Sequence, residues 1–286
     1  MTGEHAVGVL CEVLEVARSG YYKWRRATPS ARQRQDARLT ERIAAAHRQS
    51  RCNYGTPRIV ADLRAEGLRI SRRRCGRLMK ALGVCGRKKA RRHPRTTDSR
   101  HGQVVAPNLL ATASPPSGPD QVWVADITYL PTGEGWLFLA AVLDAWSRRV
   151  VGWACAPTLA AALVIAAFTD ARQRRLAPPG TIHHSDRGSQ YVDAGLLAAL
   201  AEAGCVRSMS RAGNCYDNAK IESFWSSLKT ECAVDLALPA TRREAELAVF
   251  DYIETFYNSR RRHSSLGQIS PVAFELKHSK NNIKVA

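Results

Sequence analysis

Between residues 120 and 231 the apolar segments follow an order that few folds accommodate. "QVWVADITYL" and the two halves of "GWLFLAAVLDAWSRRVVGWAC" read as three successive strands, the last two joined by a turn at 145–147. The period then changes. "LAAALVIAAFTDARQRR" is helical, "TIHHS" is a short buried strand, "AGLLAALAEAG" is helical, "VRSMS" is a strand and "DNAKIESFWSSLKTE" is helical. Three sequential strands followed by strand–helix alternation predict an α/β fold, a mixed sheet with helices on its faces.

Charge separates this body from what precedes it. Lys and Arg number 43 against 25 acids, a net +18. Residues 1–100 carry +17 of that excess and residues 101–286 only +1. A basic module joined to a neutral body suits a polyanion, and nucleic acid is the commonest such partner. Within the module the opening "VLCEVLEVARSGYYKWRRA" reads as a short helix stopped at Gly20, and 31–49 as a basic amphipathic helix. "YGTPRIVADLRAEGLRISRRRCGRLMKALGV" (54–84) reads as two helices. Thr56 is the expected cap of the first, with Pro57 at the first helical position and Gly67 after its end; Ser71 caps the second and Gly83 ends it. In that second helix Cys75, Leu78, Met79 and Leu82 form one apolar face while Arg73, Arg77 and Lys80 line another. This is the pattern of a helix-turn-helix whose second helix faces DNA. Residues 67–97 contain no acid, so neighbouring acids within the segment cannot account for the bases. The expected domains are therefore a basic helical region over 1–92, a Pro/Ser/Thr/Gly-rich linker over 93–119, and an α/β core with a helical tail over 120–286.

The eight cysteines form no C-x-x-C pair and no zinc-finger spacing, so reduced thiols in a cytoplasmic protein are expected. No apolar stretch is long enough to span a membrane, and the opening residues lack the basic start of a secretion signal.

Acids within the apolar runs of the body are few, and a carboxylate in a core strand needs a partner or a cation. Asp126 lies inside the first strand, Asp186 closes the fourth, and Glu222 sits in the first turn of the last helix beside the Ile221, Phe224, Trp225 and Leu228 face. Asp186 read alone is either a turn cap in Asp-x-Gly or one ligand of a distant set. Asp144 rivals Asp126 as the first member, although Asp-x-x-Ser also suits a cap of the 145–147 turn; Asp217 reads as the cap of the helix carrying Glu222. Three convergent carboxylates favour Mg²⁺ or Mn²⁺ over zinc, and two such ions support in-line phosphoryl transfer. Ser226 and Lys229 follow Glu222 on the same side of its helix, which places Lys229 for a phosphate of bound nucleic acid.

Taken together, "WVADITYL", "LDAWSRRVVGWA", "HHSDRGSQY", "SMSRAGNCYDNAKIESFWSSLKTE", "FYNSRRRHSSLGQISPVAFE" and the 54–84 segment resemble the second-reading-frame (OrfB-type) transposases of bacterial insertion sequences, whose core is similar to retroviral integrase. The resemblance spans about residues 8 to 277 and includes the 35-residue interval between Asp186 and Glu222. It implies a ribonuclease-H-like core in which Asp126, Asp186 and Glu222 are the catalytic and metal-binding residues. It further implies cleavage at the element end, attack of the freed 3′-hydroxyl on a second strand, and passage through a joined-end circle. Implied partners are double-stranded DNA (terminal repeats and target), a first-frame protein joined by ribosomal frameshifting, and further copies of the chain on DNA in the bacterial nucleoid. His183 and His184 match the approach to the second motif and are read as packing and hydrogen bonding beside the strand. Arg260 and His263 match family positions, with DNA contact and a core-locking role as the two readings.

Overall fold

The computed structural model describes residues 6–87, 105–211, 218–232 and 238–283, with the side chains of 280–283 left aside. The chain divides into two compact units, residues 1–85 and 86–286.

The first unit is all helical: α1 (Val7–Val13), α2 (Arg18–Arg25), α3 (Ala31–Gln49), α4 (Thr56–Ala65) and α5 (Arg72–Ala81). The opening breaks differently from the expectation. Glu15 adopts φ 52° between α1 and α2, and Gly20 lies inside α2. Thr56 is also not the cap of α4. Gly55 takes that place with extended backbone, and the Thr56 hydroxyl donates to Met79 Sδ instead, tying α4 to α5. Ser71 does cap α5, accepting from the Arg74 amide at 3.2 Å, and Gly67 and Gly83 follow the two helices with positive φ. Leu39 and Ile43 of α3, Ile59 and Leu63 of α4, and Cys75, Leu78 and Met79 of α5 are buried together as the core of this unit.

The second unit is built on a five-stranded sheet in the order β3-β2-β1-β4-β5. The strands are β1 (Val122–Thr132), β2 (Gly135–Asp144), β3 (Val150–Ala156), β4 (Ile182–Ser185) and β5 (Val206–Met209). β1, β2 and β3 pair antiparallel, whereas β1–β4 and β4–β5 are parallel and need helical crossovers: α6 (Ala161–Arg174) and α7 (Ala194–Glu202). Because strand side chains alternate, Trp123 and Ala125 face one way, with Phe168 of α6 and Leu196 of α7 in the same core. Asp126 therefore points to the opposite face, which α8 (Ala219–Glu231) covers. α6 lies very close to β3 at Gly152, where a Cβ would stand 2.4 Å from the Ala167 carbonyl oxygen. The C-terminal part adds α9 (Arg242–Phe250), a π-helical stretch at Asp251–Tyr257, and α10 (Pro271–Ile283). Asp217 lies outside the described residues. The N-cap of α8 is Asn218, without a side-chain capping bond.

Candidate active site

β1, the end of β4 and the first turn of α8 bring Asp186 and Glu222 within electrostatic reach of Asp126. Asp126 and Asp186 are half-buried and Glu222 is exposed. Burial pushes the Asp126 carboxyl up to about 7, and the negative charges of Asp186 and Glu222 add to the rise. Two hydrogen bonds oppose it: the Trp225 indole N–H donates to Asp126 Oδ2 at 2.8 Å, and the Ile127 amide also donates to the carboxyl. Trp225 stands three residues after Glu222, so one helix face supplies both an acid and the donor that holds its neighbour. Asp186 Oδ1 accepts from the Gly188 amide at 3.0 Å, which is the Asx turn expected of Asp-x-Gly. That bond uses one oxygen and is compatible with a second role for the other.

Asp144 is occupied otherwise. It is fully buried, and its carboxylate accepts from the Asp120 amide (2.7 Å), the Trp146 amide (3.0 Å), and the Ser147 amide and hydroxyl (2.7 and 2.9 Å). Its oxygens close the turn, as a cap should. Lys220, at the start of α8, donates to the Ala145 carbonyl at 2.9 Å and so links the helix of Glu222 to that same turn.

The histidines pack. His184 bridges Ser208 (2.8 Å) and Ser210 (3.0 Å), and His183 stands edge-on to Phe168 at 5.6 Å. Burial, aided by the neighbouring His184, lowers His183 to about 4, so it is neutral at ordinary pH.

Among the described residues no three His, Cys, Asp or Glu side chains are gathered tightly enough to enclose a metal ion. The donor set around Asp126 nevertheless fits a hard cation. All three groups are carboxylates, and the negative charge that Asp186 and Glu222 bring to bear on Asp126 is what a divalent ion relieves.

The basic residues sort by partner. Arg77 pairs with Asp36 of α3 at 2.6 Å, as does Arg74 at 2.7 Å; the acid missing from the 67–97 segment is supplied by another helix. Arg73 and Lys80 are exposed and make no ion pair among the described residues. Lys229 lies over the Tyr129 ring, 5.1 Å from its centroid. Arg260 is exposed, whereas His263 is buried edge-on to Tyr257 at 4.9 Å, the core-locking position. The neighbouring Arg261 was not singled out from sequence. It is buried, forks onto both oxygens of Glu231 (2.7 and 2.6 Å), and also reaches Ser227 at 3.0 Å. A run of three arginines gave no signal that its middle member turns inward. Trp225 was likewise legible only as part of an apolar face.

Family comparisons agree with this architecture. An HTH-like domain family matches residues 33–92, and two integrase core domain families match residues 116–215 and 203–271. The chain is 44% identical over 269 residues to a 31 kDa protein of insertion element IS600 from Shigella sonnei, covering 94% of this chain and 98% of that one. It is 41% identical over 277 residues to transposase InsF for insertion sequence IS3A of Escherichia coli (strain K12), covering 96% of each. The catalytic core domain of BIV integrase is similar at a TM-score of 0.43 and 17% identity, over 57% of this chain and 99% of that one. With relatives above 40% identity along nearly their whole length, the chain belongs to the insertion-sequence transposases of the IS3 type and is an enzyme of DNA strand cleavage and transfer built on an integrase core.

Proposed function

We propose that Asp126, Asp186 and Glu222 are the catalytic centre with which this transposase cuts and joins DNA at the ends of its insertion sequence. The observation that carries the reading is placement: Asp126 lies on β1, Asp186 follows the end of the adjacent parallel strand β4, and Glu222 stands one turn before Trp225, whose indole bonds Asp126. These three would hold Mg²⁺ or Mn²⁺, two ions in the reading adopted here. When bound, the ions supply positive charge at the attacking and leaving oxygens of the phosphodiester. The chain's own part is positional. Trp225 fixes one Asp126 oxygen, Gly188 fixes one Asp186 oxygen, and Lys220 anchors the helix turn that carries Glu222. Asp144 shapes the adjacent turn without serving as a ligand. The test is metal-dependent cleavage by carboxamide variants of each acid.

The same reading assigns DNA holding to Arg73, Arg77 and Lys80 of α5, to Lys229 two turns after Glu222 on α8, and to Arg260 at the C-terminal segment. His263 serves that segment by packing under it. Arg77 would have to exchange Asp36 for a phosphate, so Arg73 and Lys80 carry the assignment for α5. Functionally the chain divides into a DNA-holding region (1–92), a linker (93–119) and the catalytic core with its tail (120–286). Its further partners would be a first-frame protein joined by frameshifting and additional copies of the chain, assembled on terminal and target DNA in the nucleoid. Among the described residues no helix is long and apolar enough to cross a membrane.

A further inference from the structure

We propose that Tyr191 is a positioning residue of the active site, its hydroxyl a latent hydrogen-bond donor to the Asp126–Asp186 carboxylate pair that engages when the site is loaded with divalent cation and DNA. The inference rests on the reading of those acids as the catalytic centre.

Tyr191 is 3% exposed, and its hydroxyl oxygen is buried with no hydrogen-bond partner among the described residues. A phenol buried in this way is costly, and phenylalanine would fill the same space without the cost. The side chain is not loosely held. It sits in the 3-10 turn Ser189–Val192, its amide donating to the Gly188 carbonyl at 2.9 Å, and its ring lies 6.3 Å from that of His183. Gly188 fixes its relation to the acids. A Cβ there would stand 3.1 Å from Asp186 Oδ1 and 3.7 Å from Tyr191 Cδ2, so carboxylate and ring flank the same glycine. Burial first, then the charges of Asp126 and Asp186, raise the hydroxyl's proton affinity well above the ordinary tyrosine value. It therefore stays protonated and remains a donor at any working pH. Asp126 and Asp186 are the two carboxylates whose charges act on it. With a cation held by Asp126 and Asp186, the hydroxyl would donate to one of their oxygens.

The experiment compares the full chain with Tyr191→Phe, using an element-end DNA duplex and Mg²⁺ for cleavage and Mn²⁺ for direct binding by electron paramagnetic resonance. Tyr191→Phe should melt in EDTA at the same temperature as the parent or higher, because only an unpaired polar atom is lost. With metal and DNA its cleavage rate should fall by about tenfold, and Mn²⁺ binding should weaken several-fold, the scale of a hydrogen bond to a charged group. A lower melting temperature in EDTA, or failure to fold, would show that the hydroxyl has a structural partner and would overturn the proposal. Unchanged cleavage and Mn²⁺ binding would overturn it equally. Asp186→Asn in the same assay separates the two levels: if it still cleaves, the reading of the catalytic centre fails. If it is inactive while Tyr191→Phe behaves as the parent, only the role of Tyr191 fails.

Discussion

The indole N–H of Trp225 donates to Oδ2 of Asp126 across 2.8 Å, joining α8 to the middle of β1. That bond favours the charged carboxylate and partly offsets what burial and the neighbouring acids do to it. Trp225→Phe keeps an aromatic ring but removes the donor. The variant should lose about 1–3 kcal/mol of stability at pH 8, and the acid limb of its pH–rate profile should move to higher pH. Chemical denaturation and initial cleavage rates across pH 6–9 check both.

Protonation of Asp126 also has a signed consequence for folding. Its carboxyl is held up to about 7 against an ordinary 3.8, so between those values the folded protein keeps a proton that the unfolded chain has released. Stability from this group is present at low pH and is lost as pH rises through about 7. His183, lowered to about 4, works in the opposite sense below 6.5. The difference between parent and Asp126→Asn isolates the first effect. In EDTA the variant's advantage in melting temperature should grow from pH 5 to pH 8 and shrink when Mg²⁺ is added. A pH-independent difference would mean that neither burial nor neighbouring charge raises the Asp126 carboxyl.

The arginines should separate into fold-builders and DNA-holders according to the partners they have. Arg261 and Glu231 are 5% and 7% exposed and fully engaged, so Arg261→Ala strands a buried carboxylate and should cost about 3–5 kcal/mol. Arg260→Ala, Arg73→Ala and Lys80→Ala should each stay within about 0.5 kcal/mol of the parent. Those three should weaken binding to duplex DNA and reduce the slope of affinity against salt by about one counterion each. Denaturation midpoints and binding titrations at several salt concentrations distinguish the two groups.

The body of the fold was legible because period and length separate its elements cleanly. The β1–β3 run alternates or is uniformly apolar, and α6, α7 and α8 break it with helical faces. Failures came where one residue has two uses. Gly20 has the composition of a stop but is tolerated within α2, while the actual break comes at Glu15, whose left-handed backbone has no sequence signature. Thr56 has the chemistry of a cap, yet its hydroxyl is spent on Met79. Asp126 stands out as a candidate because a carboxylate inside a core strand demands a reason. The groups that orient it do not, since an indole on an apolar helix face and a tyrosine in a turn both read first as packing. Arg261 was hidden similarly: three consecutive arginines look solvated until the fold shows Glu231 beneath the second.

The most direct test measures Mg²⁺-dependent cleavage and strand joining of end DNA by Asp126→Asn, Asp186→Asn, Glu222→Gln and Asp144→Asn, alongside end binding by each. The first three should bind ends but lose cleavage and joining together, and combining them should add no further loss, because they act as one unit. Asp144→Asn should lose about 0.5–2 kcal/mol of stability by analogy with a helix cap and keep its activity. An inactive, folded Asp144→Asn beside an active Asp126→Asn would contradict the account and move the catalytic centre to the end of β2, where Asp144 lies opposite Trp123.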